Sequence, residues 1–261
     1  MKVNEVKRKL RAGGVSFGTM VFEFVSPGLP RVLAEAGAEF VIFDTEHSWF
    51  GHEQLGYLIA STKATGMAPL VRVANIDYPL MARPMDMGAM GLMIPRVETR
   101  AQVEAVIKAM KYPPIGERGV GLSLAHDDYT GGDVHAKLRS ANHESLVIIQ
   151  VETALALANL EAMLSVPGVD VAWVGHFDLS VSLGIPGNFE HPRFVEAIER
   201  VVAVCDQHGV APGVMGGSVA MAQEWMARGF RAIAYSGDVW LLQNALREGL
   251  RQLRESAGHG D

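Results

Sequence analysis

Short apolar runs rich in β-branched residues alternate along this chain with longer segments of helical periodicity. The runs predict eight β-strands, at residues 15–19, 39–44, 68–73, 91–95, 146–151, 170–175, 210–214 and 231–236. Apolar residues spaced by three and four predict the helices between them, at 30–38, 54–66, 101–110, 154–164, 194–209, 218–229 and 239–256. Four of these helices end at a glycine, where a left-handed cap costs least: Gly37, Gly66, Gly209 and Gly229.

Most of the predicted strands are apolar on nearly every residue, which is typical of strands buried on both faces of a parallel sheet. Eight strand–helix units in 261 residues predict a single-domain α/β protein, a (β/α)8 TIM barrel over residues 1–261. A doubly wound open sheet is the alternative architecture. The longest stretch without a clear pattern, 112–144, is expected to form a lid or a wall of the active site, because long loops in compact domains usually have a function.

Composition and charge narrow the choice of function. Hydrophobic residues make up 49% of the chain and charged residues 20%, which is enough apolar material for a large core. The net charge of −6, without a basic block, disfavours nucleic acid or an anionic membrane as a partner. Since no run has the ~20 apolar residues of a membrane span and no signal-peptide pattern is present, we expect a cytoplasmic protein. The single cysteine, Cys205, lies in an apolar helical stripe and is expected to be a core thiol.

Acidic and basic side chains concentrate at the carboxyl ends of the predicted strands, which is the end of a TIM barrel that carries its chemistry. They are Asp44, Glu46 and His47 at strand two, Arg72 at strand three, Glu152 at strand five, His176 and Asp178 at strand six, and Asp238 at strand eight. Two strand-end carboxylates without a set of Cys or His ligands suit a hard, oxygen-seeking ion. We therefore predict a divalent metal site at Glu152 and Asp178, with Mg2+ or Mn2+ ahead of Co2+ or Zn2+.

Arg72 and His47 would complete a reaction centre at this end of the barrel. A guanidinium fork complements the charge of an enolate oxygen, so Arg72 is the candidate for stabilising that charge. Histidine exchanges a proton near neutral pH, so His47 is the acid–base candidate. Each residue also has a structural interpretation. Glu152 could cap a helix, and Asp178 could cap or charge a short helix. Arg72 could pair with Asp44 or Glu46, and His47 could be a hydrogen-bonded structural residue.

Six motifs in order carry a family resemblance: FDTEHS (43–48), PLVRV (69–73), GLMIPRVET (91–99), KYPPIGERGVG (111–121), QVET (150–153) and VGHFDLS (174–180). From about residue 10 to 240 the chain resembles the HpcH/HpaI family of metal-dependent pyruvate aldolases. The resemblance implies a class II enzyme that reversibly cleaves 4-hydroxy-2-oxo acids into pyruvate, or a close 2-oxo acid, and an aldehyde. It also implies a homohexamer, a trimer of dimers that exchange their last helix.

The matched motifs imply a role for each site residue. Glu152 and Asp178 would be the metal ligands, and Arg72 would contact the keto or enolate oxygen. His47 would be the acid–base group, with Asp44 orienting it or a neighbouring water. The backbone amides of Gly175, His176, Phe177 and Asp178 would receive the substrate carboxylate. Many relatives have Pro-Ala where this chain has His176-Phe177, which predicts a reshaped acceptor pocket, and the arginine that some carry near His126 is missing, which argues against a strongly anionic aldehyde.

Other reactions remain open on the same residues. Decarboxylation of an oxaloacetate-like 2-oxo diacid passes through the same enolate, whereas a coenzyme A thioester lyase would need a basic path that this acidic chain lacks. A metal-binding scaffold without activity would leave His47 and Arg72 without a purpose. Schiff-base chemistry is disfavoured, because the lysines at 2, 7, 9, 63, 108, 111 and 137 all fall outside the predicted strands.

Overall fold

A computed structural model describes residues 2–258 and shows a closed barrel of parallel strands in the order β1 to β8, with β8 paired to β1. Strands β1 to β8 are Ser16–Val21, Phe40–Asp44, Ala68–Arg72, Gly91–Ile94, Leu146–Val151, Val171–Val174, Ala211–Gly216 and Ala232–Gly237. Helices α1 to α12 are Glu5–Arg11, Leu29–Glu35, His52–Lys63, Tyr78–Met87, Arg100–Met110, Val134–Glu144, Ala154–Ala158, Leu160–Leu164, His176–Ser182, Pro192–His208, Val219–Ala227 and Asp238–Ser256. The predicted (β/α)8 TIM barrel is confirmed, and residues 1 and 259–261 of the predicted domain lie outside the described residues.

The strands are apolar on nearly every residue because they separate two hydrophobic cores. In β2, Val41 and Phe43 pack into the layer between strands and helices, whereas Phe40 and Ile42 fill the barrel interior. Strand β5 alternates in the same way, and both strands are buried along their whole length. Alternation along a strand then places Arg72 of β3 and Gln150 of β5 on the inward side, at the carboxyl mouth of the barrel.

The helix predictions hold with local corrections. Gly37, Gly66, Gly209 and Gly229 all have positive φ angles, between 64° and 101°, so the predicted glycine ends are confirmed. The segment predicted as one helix over 154–164 is divided at Asn159 into α7 and α8. No helix among residues 2–258 is long and apolar enough to cross a membrane.

Helix α1 and two buried lysines close the amino-terminal end of the barrel. The Lys7 ammonium donates to Asp170 at 2.8 Å, and Lys111 donates to the Ser145 carbonyl at 2.8 Å. Ser145 and Asp170 precede β5 and β6, which places both lysines at the end opposite the carboxyl mouth. Burial, reinforced by the charge of Lys7, lowers the pKa of Lys111 to about 7. These amines therefore lie away from the strand ends where a Schiff base would be expected.

The segment 112–144 departs from its prediction. Residues 134–144 form α6, whose first turn is capped by the Asp133 carboxylate accepting from the Ala136 amide at 2.7 Å. The preceding loop runs along α4, where Arg118 pairs with Asp86 at 2.5 Å. Neither cavity at the carboxyl mouth, described below, is lined by a residue of this segment. The expected lid or wall is therefore wrong for the site within one chain.

Candidate active site

The predicted site residues surround two adjoining cavities at the carboxyl mouth of the barrel. The outer cavity, of about 350 Å³, is lined by Glu46, His47, Arg96, Glu98, Glu152, Thr153, Asp178, Val181 and Ser182. The inner cavity, of about 180 Å³, is lined by Met20, Phe22, His47, Arg72, Gln150, Trp173, Val174, Gly175, His176, Phe177, Asp178, Met215 and Trp240. His47 and Asp178 line both. Three larger grooves, of about 570, 670 and 380 Å³, contain none of the predicted site residues and are therefore not candidates for the reaction centre.

The Glu152 carboxylate is buried, and its two oxygens are held in place by neighbouring donors. The backbone amide of Arg96 donates to Oε1 at 2.6 Å, and the Gln150 side-chain amide donates to Oε2 at 2.9 Å. Burial, with the nearby charge of Asp178 adding to it, raises the pKa of Glu152 to about 7. Gly175 makes this geometry possible, because a Cβ at that position would lie 2.7 Å from Glu152 Oε2.

Neither acidic residue caps a helix, although Asp178 does place its charge in the first turn of α9, as its structural alternative predicted. The Thr153 hydroxyl, not Glu152, caps α7 by accepting from the Ala156 amide at 3.0 Å. Asp178 lies within the first turn of α9, after the N-cap residue Gly175, and its carboxylate has no hydrogen-bond partner among residues 2–258. Both carboxylates are therefore available to a ligand in the outer cavity.

The donor chemistry of this pair fits a hard divalent cation. Two carboxylates that face one cavity repel each other, and a cation between them would relieve both that repulsion and the cost of burying Glu152. Residues 2–258 contain no cluster of three or more His, Cys, Asp or Glu side chains in metal-binding geometry. An ion here would accordingly have two protein ligands, leaving positions for water and substrate oxygens.

Arg72 is fixed by a two-point ion pair with Asp44. Its Nε and Nη2 donate to the two Asp44 oxygens at 2.7 and 2.8 Å, and Asp44 is fully buried. Burial disfavours the charged guanidinium, but the hydrogen bonds and charge of Asp44 outweigh it and raise the pKa of Arg72. Nη1 takes no part in this pair and lies 3.5 Å from Glu46 Oε2. The predicted structural pairing is thus present, and Arg72 also lines the inner cavity.

Asp44 and Glu46 contact His47 in different ways. The imidazole is 60% exposed, and its Nε2 lies 3.7 Å from Glu46 Oε2. Asp44 reaches only the backbone of this turn, accepting from the Glu46 and His47 amides at 3.0 Å each. Because those amides and Arg72 occupy both Asp44 oxygens, Asp44 orients the turn and the guanidinium, and Glu46 is the carboxylate beside the imidazole.

The amides of the segment 175–178 are only partly available. The Gly175 amide, one of the predicted carboxylate donors, donates to the Val151 carbonyl at 3.2 Å and is therefore engaged within the barrel. The amides of His176, Phe177 and Asp178 open α9 and have no acceptor among residues 2–258. These three remain the candidates for binding a substrate carboxylate.

His176 and Phe177, the departure from the family motif, form an aromatic cluster beside the site. The His176 ring lies 4.7 Å from Phe177 and 5.2 Å from Phe189, measured between ring centroids. Burial lowers the pKa of His176 to about 4, so this imidazole is neutral at physiological pH. Phe177 is 59% exposed and contributes an apolar edge to the inner cavity.

Sequence reasoning missed two residues that contact Glu152. Gln150 occupies an inward position in an apolar strand, a signal that the alternation of β5 could have revealed, and its buried Oε1 has no partner among the described residues. Arg96 has a left-handed backbone, with a φ angle of 53°, which orients its amide toward Glu152. No pattern of residue types predicts that conformation.

Comparisons with known proteins agree with this geometry. The profile of the HpcH/HpaI aldolase/citrate lyase family matches residues 22–245. The chain is 32% identical to a 2-dehydro-3,6-dideoxy-6-sulfogluconate aldolase of Pseudomonas putida, over 94% of this chain and 95% of that protein. It is 33% identical to a hydroxypyruvate/pyruvate aldolase of Pseudomonas aeruginosa, over 95% and 92%. The crystal structure of an HpcH/HpaI aldolase from Desulfitobacterium hafniense DCB-2 matches with a TM-score of 0.91 and 34% identity, over 95% of this chain and 96% of that one. The chain therefore belongs to the HpcH/HpaI aldolase/citrate lyase family and is a carbon–carbon lyase.

Proposed function

We propose that this lyase is a class II, metal-dependent aldolase that reversibly cleaves 4-hydroxy-2-oxo acids into pyruvate, or a close 2-oxo acid, and an aldehyde. The observation that carries the proposal is the convergence of a carboxylate pair, Glu152 and Asp178, with Arg72 and His47 around two connected cavities. The names of the curated relatives support the same reaction, since both are aldolases and one acts on hydroxypyruvate and pyruvate.

Glu152 and Asp178 would hold Mg2+ or Mn2+, which when bound supplies a Lewis acid that polarises the substrate keto group. The amides of His176, Phe177 and Asp178 bind the substrate carboxylate at the start of α9. Asp44 keeps the Arg72 guanidinium rigid and charged, so its Nη1 edge, which takes no part in the Asp44 pair, stabilises the negative charge that develops on the keto oxygen.

His47 then serves the aldehyde half of the substrate. Its imidazole, which lines both cavities, accepts the proton of the 4-hydroxyl group while the bond between C3 and C4 breaks. The bonding electrons pass to C3 and the keto oxygen as an enolate, and the 4-hydroxyl oxygen becomes the aldehyde carbonyl. Protonation of C3 completes the release of pyruvate, and the reverse sequence is an aldol addition.

The outer cavity is suited to a small, hydroxylated aldehyde. Glu46 and Glu98 lie there together with Arg96 and the hydroxyl groups of Thr153 and Ser182. This mixture offers both donors and acceptors to hydroxyl groups and carries no excess of positive charge. A strongly anionic aldehyde is therefore disfavoured, in agreement with the arginine missing near His126.

Pyruvate release from a panel of 4-hydroxy-2-oxo acids tests the reaction directly. We expect metal-dependent release when Mg2+, Mn2+, Co2+ or Zn2+ is supplied in turn, with oxaloacetate assayed in parallel for decarboxylation. Turnover of oxaloacetate while every hydroxy-oxo acid stays intact would make the enzyme a decarboxylase. Inactivation of the metal-free enzyme by borohydride in the presence of pyruvate would reveal a Schiff base and contradict the proposal.

We also propose that the enzyme is a homohexamer, a trimer of dimers that exchange α12. The observation behind this is a stripe of exposed leucines along α12: Leu242, Leu246, Leu250 and Leu253, between 40% and 67% exposed. Among the α12 residues only Asp238 is buried against its own barrel, so this apolar stripe lacks an intramolecular partner. A contiguous apolar surface of this kind is characteristic of a subunit interface.

Charging the α12 stripe should dissociate the assembly. Because a glutamate cannot be buried in an apolar interface without a large desolvation cost, we expect a variant with Leu246→Glu and Leu250→Glu to elute as a smaller species. Light scattering coupled to size-exclusion chromatography measures this mass. Asn244→Glu adds a negative charge on the opposite face of α12 and should leave the mass unchanged. A wild-type monomer, or an undiminished mass for the double variant, would contradict the exchange of α12.

A further inference from the structure

Asp238, the acidic residue at the end of β8, has no task in the chemistry proposed above. It is 6% exposed, and its carboxylate is saturated by backbone amides. Oδ1 accepts from Phe22 at 3.0 Å and from Val239 at 2.9 Å, and Oδ2 accepts from Glu23 at 3.0 Å and from Phe24 at 2.8 Å. Asp238 forms no ion pair with any residue between 2 and 258. The buried charge is therefore compensated mainly by the backbone amides of the turn 22–24, which follows β1.

The turn 22–24 contacts both of the elements that carry the proposed reacting groups. The Phe22 ring centroid lies 5.9 Å from the guanidinium carbon of Arg72, and Phe22 lines the inner cavity. The Glu23 carbonyl accepts a hydrogen bond from the Trp49 indole at 3.2 Å, and Trp49 lies two residues after His47 in the sequence. The turn thus lies between Asp238 on one side and Arg72 and the His47 turn on the other.

The junction of β8 and α12 is shaped to receive Phe22. Trp240 meets Phe22 edge to face, with ring centroids 5.2 Å apart. A Cβ on Gly237 would lie 2.8 Å from Phe22 Cε2, so only glycine allows this approach. Ser236 adopts a left-handed backbone with a φ angle of 55°, an unfavourable conformation for serine that is characteristic of functional sites.

We propose that Asp238 is a positioning residue of the active site, which clamps the turn 22–24 so that Phe22 packs on Arg72 and Glu23 holds Trp49 beside the His47 turn. The inference rests on the proposed function for its consequence. A ring over one side of the guanidinium excludes water from it, which strengthens its interaction with a developing negative charge. Release of the turn would expose Arg72 to water and loosen the His47 turn, without breaking the hydrogen bonds that hold Glu152, which come from Arg96 and Gln150.

Two variants release the turn by different routes. Asp238→Asn replaces a carboxylate oxygen by an NH2 group that faces amide donors, and Gly237→Ala leaves the carboxylate intact but displaces Phe22. A misplacement of about 1 Å can cost ~10²-fold in rate, so we expect kcat/KM to fall by about that factor in both variants. Mg2+ affinity, measured by calorimetry, should stay at the wild-type value. Glu23→Gln changes the side chain of the same turn but keeps its backbone, so it should retain wild-type kinetics.

The kinetics are measured well below the melting temperature of each variant, and Trp49 and Trp240 report the turn through their fluorescence. A lower melting temperature with unchanged kcat and KM would make Asp238 a purely structural anchor and overturn the proposal. If Asp238→Asn does not fold, the kinetics of Gly237→Ala alone test the proposal. A wild-type enzyme that cleaves no hydroxy-oxo acid would defeat the proposed function instead, and the variants would then be compared on whichever metal-dependent reaction the wild type shows. Unchanged rates and tryptophan fluorescence in the folded variants would still overturn the clamp.

Discussion

Glu152→Gln and Asp178→Asn should each remove nearly all turnover while leaving the barrel folded. Each variant keeps the size of the side chain and removes one of the two proposed anionic metal ligands, for which the described residues supply no third protein partner. A bound metal supplies several kcal/mol of charge stabilisation, so we expect a loss of about 10³-fold or more. EDTA should abolish wild-type turnover, and Mg2+, Mn2+ or Co2+ should restore it, whereas neither variant should recover at the same metal concentration.

Glu98→Gln is the matched control for this experiment. Glu98 lines the same outer cavity, but its Oε1 accepts from the Thr153 hydroxyl at 2.8 Å, and it is not a proposed ligand. Its replacement removes one negative charge from the cavity and should leave metal affinity within a few-fold of wild type. Equal losses in Glu98→Gln and Glu152→Gln would show that only the net charge of the cavity matters. Full turnover by the metal-free wild type would place the enzyme in another mechanistic class.

The same site predicts how pH affects metal binding. In the metal-free protein the pKa of Glu152 is raised from its ordinary value of 4.5 to about 7, so below that pH a proton competes with the metal. We expect Mg2+ affinity to rise as the pH increases through 7, with proton release detectable by calorimetry in buffers of different ionisation enthalpy. The stability of the metal-free fold should change in the opposite sense. The folded state binds more protons than the unfolded one between 4.5 and about 7, so stability falls as the pH rises through this window.

The fold was predictable because its signal is repeated in every unit. Residues 40–43 are all apolar because alternate side chains pack into two different hydrophobic cores. An uninterrupted apolar run distinguishes such a buried parallel strand from a strand with one face in water. Helix α6 was missed because only Ala141 and Glu144 of its residues are buried, so its sequence carries little periodicity. Helix α4 was also not predicted, because it contains Pro84 in its interior and proline usually marks the end of a helix.

The site was predictable as a set of residues but not as a set of contacts. Strand ends of a parallel barrel must meet at one mouth, so Glu152, Asp178 and Arg72 could be grouped from their positions alone. Which atoms meet depends on side-chain geometry that spacing does not encode. Asp44 lies three residues from His47, yet its oxygens are occupied by Arg72, 28 residues away, and by backbone amides. Likewise, Asp238 stands at a strand end in the sequence, but three of its four amide partners belong to the turn 22–24, which is distant in the sequence and meets Asp238 only in the folded barrel.

Replacing Arg72 should suppress every reaction that passes through the enolate. Losing a positioned donor to developing negative charge typically costs ~10²–10³ in rate, or ~2.7–4 kcal/mol, and we expect Arg72→Ala to show this in aldol cleavage, decarboxylation and pyruvate proton exchange alike. Arg72→Ala also leaves the buried Asp44 carboxylate without its ion-pair partner, which threatens the fold. A second variant, Arg72→Lys, is therefore measured as well, because lysine keeps a positive charge beside Asp44 but lacks the planar guanidinium. If a folded Arg72→Lys variant exchanges pyruvate protons at the wild-type rate, the planar guanidinium of Arg72 is not needed to stabilise the enolate.

His47→Ala should instead separate the reactions. Its imidazole is 60% exposed and pairs with neither Asp44 nor Arg72, so its removal leaves the rigid part of the site intact. If the imidazole accepts the proton of the 4-hydroxyl group, cleavage should fall by ~10²–10⁴-fold, the usual range for losing a general base. Decarboxylation has no hydroxyl proton to remove and should fall far less, so the ratio of the two rates is the measurement. Equal losses in both reactions would mean that His47 supports the site without acting on the leaving aldehyde. Both reactions form the same enolate, and only cleavage of the C3–C4 bond also requires a proton to be removed from the hydroxyl group at C4.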